Sequence, residues 1–103
     1  MPVYLISNVE VYDLEQFKNY QEPARAAVAQ YGGRFLAEGA APESLEGDWA
    51  PKRMAIVEFK NADSARFFFH SPEYQAARQH RLRAANFKIV LVDPATGIIR
   101  DLE

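Results

Sequence analysis

Four stretches of this chain, Val3–Val11, Arg34–Glu38, Arg53–Phe59 and Phe87–Val92, carry apolar side chains on both of the alternating positions a strand presents. A strand with one wet face alternates apolar with polar residues, so these read as strands of a sheet covered on both sides. In the first, Val3, Leu5, Val9 and Val11 share one parity and Tyr4 and Ile6 the other. In the third, only Arg53 and Glu58 interrupt the apolar run.

Helical signals lie between the strands. Asp13 stands as an N-cap with Gln16 three positions on, and Leu14, Phe17, Gln21, Ala24 and Val28 recur at helical spacing as far as Tyr31. Pro23 removes an amide donor inside this helix and predicts a bend or break on its solvent side. Gly32-Gly33 supplies a left-handed stop. Asn61 caps a short helix with Ala65, Phe68 and Phe69 on one side, and Ser71-Pro72 restarts a helix that the pattern carries to about Ala85. Phe67 points away from the buried side of that region, which predicts contact with a partner or a loop. The stretch Gly39–Pro51 holds loop signals together with Leu45 and Trp49, and reads as a strand end followed by a turn.

The resulting order, βαββαβ, is the ferredoxin-like one: an α+β domain over residues 1–93 with a four-stranded antiparallel sheet, followed by a tail at 94–103. Both helical regions then cover the same face of the sheet. Two parity sets compete for that face: Tyr4, Ile6, Leu36, Ala55, Val57, Phe59, Val90 and Val92, or Val3, Leu5, Val9, Phe35, Met54, Ile56 and Leu91. Either way a second apolar face remains, and at roughly 1.5 to 3 kcal/mol per large side chain it would not stay wet. A homodimer through the sheet faces is expected, with an isologous interface. The tail's Ile98, Ile99 and Leu102 are expected to lie on the partner.

The 103 residues suffice for one domain. With no cysteine, the chain excludes disulfides, thiolate metal sites and a cysteine nucleophile. A net charge of -2 argues against nucleic acid, which clustered Lys and Arg would bind by counterion release. The basic run Arg78-Gln79-His80-Arg81-Leu82-Arg83 lies at a helix end, where cations favour the dipole without a ligand, and Met54-Ala55-Ile56-Val57 lacks the aromatics of an RNA-recognition strand. No apolar run has the roughly 18 residues of a membrane span, so no membrane partner and a cytoplasmic location are expected.

Tyr31-Gly32-Gly33-Arg34-Phe35-Leu36, then Leu45-Glu46-Gly47-Asp48-Trp49 with Pro51 and Arg53, Glu58-Phe59, and Ser71-Pro72-Glu73-Tyr74-Gln75 resemble the bacterial family called domain of unknown function 1330, over roughly Val3 to Val92. The resemblance implies the dimeric α/β-barrel superfamily, in which two ferredoxin-like subunits pack their sheets together. That superfamily holds small cofactor-free monooxygenases, polyketide cyclases, lactone isomerases and haem-dependent enzymes. The reaction therefore stays open, and the family offers no catalytic residue to carry over.

Among polar residues, His80 is the first candidate acid or base, at the edge of the Tyr74/Ala77/Ala85 stripe; as a boundary residue in an Arg-rich turn it needs no function. His70 precedes the helix break, where the dipole alone favours it. No zinc-type spacing links the two, so no metal is expected. Asn8 and Glu58 interrupt apolar strands, Glu58 as a second candidate for catalysis and Asn8 for substrate binding. The ordinary alternative pairs Glu58 with a neighbouring cation and leaves Asn8 near a strand end. Arg34 and Arg53 on adjacent strands, with Asp48 and Trp49 between them in sequence, could seat a carboxylate or an aromatic ring, or could pin the loop. Two functions meet this pattern. One is a cofactor-independent enzyme, of monooxygenase, isomerase or cyclase type, acting on a small aromatic or carboxylate metabolite between sheet and helices. The other is a non-catalytic small-molecule-binding or interaction protein.

Overall fold

The computed structural model describes residues 1–97. Its elements follow the expected order, with the second helical region in two parts: β1 (Val3–Val11), α1 (Leu14–Gln30), β2 (Arg34–Ala40), β3 (Arg53–Phe59), α2 (Ala62–His70), α3 (Pro72–Gln79) and β4 (Ala85–Val92). The sheet order is β2-β3-β1-β4 and every neighbouring pair is antiparallel, the ferredoxin-like arrangement. β1 and β3 are the central strands, where both faces can be covered.

Register decides which parity meets the helices. Leu5 stands opposite Val57 and Leu91, and Ile6 opposite Ile56 and Val90. Val57 and Phe59 therefore join Val3 and Leu5 beneath the helices, while Met54 and Ile56 join Tyr4 and Ile6 on the open face. This corrects the sequence grouping for β3. Alternation assigns parity within one strand, but parity between strands depends on pairing.

The caps form as the sequence predicts. Asp13 accepts from the Gln16 amide at 3.2 Å, Asn61 from the Ser64 amide at 2.8 Å, and Ser71 from the Tyr74 amide at 3.0 Å with Pro72 in the first turn of α3. Two expectations fail. The break at Pro23 does not occur: helix α1 is continuous through it, and its ring is exposed, so the missing amide costs no buried contact. Helix α3 ends at Gln79 rather than near Ala85, because Ala85 must already pair with Val11 in β4. The turn between them is tied back to the end of β1, where the Tyr12 and Asp13 amides both donate to the Ala84 carbonyl.

Gly32 takes a φ of 79°, the left-handed stop, and Gly33 is a close approach: a Cβ there would lie 2.7 Å from the Phe59 ring. In the core, α1 contributes Tyr20, Ala24, Ala27 and Val28, α2 contributes Ala65 and Phe68, and α3 contributes Tyr74 and Ala77, over Val3, Leu5, Val57 and Phe59 of the sheet. Phe67 faces outward, 68% exposed. Ile98, Ile99 and Leu102 lie outside the described residues.

Candidate functional site

Helix α1 does not close completely on the sheet. Its small Ala24 and its spaced aromatics leave an apolar cavity of about 150 Å³, floored by Leu5, Ser7, Val9, Val57 and Ile89 and walled by Phe17, Tyr20, Phe35 and Phe87. A cavity of that size holds one aromatic ring. Ser7 is the polar residue of the floor, and it is buried.

The cavity opens where β1 ends and β3 begins. Val11, Phe17, Gln21 and Arg53 line both the cavity and an outer groove that reaches Glu10, Tyr12, Leu14 and Lys52. Arg53 thus stands at the mouth. Its Nη1 reaches the Gly39 carbonyl at a long 3.5 Å, and among the described residues it forms no ion pair. Beside it Arg25 Nε donates to Glu38 Oε2 at 2.7 Å. That carboxylate holds the Arg25 guanidinium above its ordinary value. Glu38 reaches the helix side because β2 shifts register between Phe35 and Ala37, which leaves Leu36 as an extra residue and turns Glu38 to the face of Ala55.

The wall toward β4 is polar at one point. Tyr20 and Tyr74 bring their hydroxyls to 2.9 Å, and Arg81 Nη2 donates to Tyr74 Oη at 3.2 Å. Arg81 is 5% exposed, stacks 3.9 Å above the Phe87 ring centroid, and leaves its Nε without a hydrogen-bond partner. Burial, reinforced by Tyr74 and opposed by Arg81, pushes the Tyr20 phenol well above its ordinary range, so it stays protonated.

The candidates named from sequence are dispersed by this fold. Arg53 alone borders the cavity. Arg34 and Glu58 pair at 3.1 Å at the other end of the β2–β3 hairpin, with Glu58 opposite Tyr4 on the open face. Asn8 and Trp49 do meet, with Glu10, Asp48, Lys52, Asn86 and Lys88, in a separate polar groove of about 260 Å³. His80 caps the end of α3, exposed, and His70 ends α2. Among the described residues no three His, Asp or Glu side chains gather as metal ligands, and no helix is long and apolar enough to cross a membrane. Tyr74 and Arg81 were not among the sequence candidates. The one signal available was an arginine next to the last strand, and it read as part of a solvated basic turn.

Fold and cavity together define a ferredoxin-like α+β protein with a ring-sized apolar site between helix and sheet. The family model for domain of unknown function 1330 matches residues 2–95, and the chain belongs to that family. No curated protein matches the sequence. Among solved structures, the chain is similar to a protein of unknown function from Rhodopseudomonas palustris (19% identity, TM-score 0.70, covering 93% of this chain and 84% of that one). A dimeric protein of unknown function and ferredoxin-like fold from Bacteroides fragilis is similar at 19% identity and TM-score 0.63, over 89% and 95% of the two chains. SnoaB, a cofactor-independent oxygenase from Streptomyces nogalater, is similar at 14% identity and TM-score 0.67, over 95% and 97%. These likenesses establish the fold.

Proposed function

We propose that this protein is a homodimer that binds a small single-ring aromatic carboxylate, the ring in the cavity under α1 and the carboxylate on Arg53. The observation that carries the reading is an apolar, ring-sized cavity with a guanidinium at its mouth that forms no ion pair among the described residues. Burying a ring there removes apolar surface from water at about 25 cal/mol per Å², and an Arg fork matches a carboxylate in a bidentate pair. Pairing through the sheets is supported by the open face, where Tyr4, Ile6, Met54 and Ile56 are partly buried and Val90 and Val92 are exposed, and by the dimeric state named for the Bacteroides fragilis structure. A cytoplasmic location fits a chain without a membrane-crossing helix among its described residues.

The enzymatic version, in which the same cavity holds a substrate for cofactor-independent chemistry, draws support from the likeness to SnoaB. The geometry supports binding more directly, because Glu58 and His80 stand apart from the cavity. Calorimetric titration with benzoate tests the reading. Saturable binding is expected in the wild type, weakened about tenfold in Arg53→Gln, the worth of one charge-assisted pair, while toluene binds both alike. Benzoate binding that is absent, or that is indifferent to Arg53→Gln, overturns it.

A further inference from the structure

The Tyr20–Tyr74–Arg81 cluster has one proton more than its partners can use. Two hydroxyls bring two protons, and the 2.9 Å contact between them uses one. Tyr74 Oη also accepts from Arg81 at 3.2 Å, and among the described residues neither hydroxyl has another partner. One phenolic O–H is left over, and both rings line the cavity. A buried donor without an acceptor is costly, and so is a buried guanidinium without a carboxylate.

The direction of the chain follows from the charge. Arg81 withdraws density from the Tyr74 oxygen and makes Tyr74 the stronger donor, so Tyr74 donates to Tyr20. The unused proton is then that of Tyr20, which sits against Phe17 and Phe87 with ring centroids at 5.4 and 5.6 Å. Donors aligned in one direction polarise each other.

We infer that Arg81, Tyr74 and Tyr20 form a donor chain whose last O–H is offered to an oxygen atom on the ring of the bound ligand, so that the site selects oxygenated aromatics, phenolic or carbonyl-bearing, over plain hydrocarbon rings. This rests on the cavity being the binding site and adds the substrate class. Tyr20 is the residue that touches the ligand; Tyr74 and Arg81 act through it as positioning residues.

Phenol and toluene, nearly equal in shape, are the probes, titrated by calorimetry into the full-length protein. A purely apolar cavity favours toluene, because the phenol hydroxyl would leave water for no partner. Here phenol is expected to bind about tenfold tighter than toluene, and Tyr20→Phe is expected to reverse the order while keeping toluene affinity. Toluene binding tighter than phenol in the wild type overturns the donor chain and leaves the cavity reading standing. So does a phenol preference that survives Tyr20→Phe. If neither probe binds, the cavity reading falls and the donor chain with it. If Tyr20→Phe does not fold, toluene binding tighter than phenol in the wild type still overturns the donor chain.

Discussion

Ser7 shows how one side chain trades stability against a site. It lies on the helix-facing parity of β1, between Leu5 and Val9, where packing alone would place a β-branched hydrocarbon. Replacing it with Val adds apolar volume to the cavity floor and a β-branched side chain that favours the strand. Ser7→Val is expected to raise unfolding stability by about 1 kcal/mol in urea titration and to weaken benzoate binding. At this scale the sequence was legible where a residue's role is local: Asp13, Asn61 and Ser71 cap the helices they precede, and Gly32 stops α1. It was not legible where a role depends on distant neighbours. Tyr20 and Tyr74 are 54 positions apart, and only the packing of α1 against α3 brings their hydroxyls together. Arg53 could be singled out as a cation in an apolar strand. Its place with Gln21 at a cavity mouth, rather than with Arg34 or Trp49, could not.

Between elements, the joint of α1 with α3 carries a pH-dependent link. Tyr31, the C-cap of α1, donates from its hydroxyl to Glu73 Oε1 in the first turn of α3 at 2.7 Å. That bond, with the Glu73 amide in support, holds the Glu73 carboxyl below its ordinary value, and the carboxylate in turn holds the Tyr31 phenol above its own. A carboxyl lowered by folding stabilises fully above its unfolded pKa, and the contribution is lost as pH falls through the folded value. For the raised phenol, the contribution is full below its unfolded pKa and lost as pH rises through the folded one. Tyr31→Phe is therefore expected to lower stability at neutral pH and to match the wild type well below the carboxylate range, as measured by urea unfolding at both; an equal deficit at both would show that the ring, not the bond, matters. Element types and order were readable from pattern and caps. The end of α3 and the bulge at Leu36 were not, since both are imposed by strand pairing: Ala85 is claimed by Val11, and Glu38 is turned toward Arg25.

For the whole molecule, the strands' two apolar faces each need a cover. One face is satisfied by α1, α2 and α3. The other, with Tyr4, Ile6, Met54, Ile56, Val90 and Val92, is the face proposed to pair with a second copy. Val90 is 58% exposed in the single chain and sits on an edge strand of that face. Val90→Asp is expected to leave the fold intact, since the residue touches no core, and to give a monomer by sedimentation where the wild type gives a dimer; a wild-type monomer would remove the pairing. The proposed binding puts the ring in the cavity under α1. The most direct test places Met at Ala24, a buried residue of the cavity wall, so that a flexible side chain fills the space a ring would take. Benzoate is expected to raise the melting temperature of the wild type, since it binds only the folded state, and to leave that of Ala24→Met unchanged. A wild type indifferent to benzoate, or an equal rise in the filled variant, would show that the cavity is not the binding site.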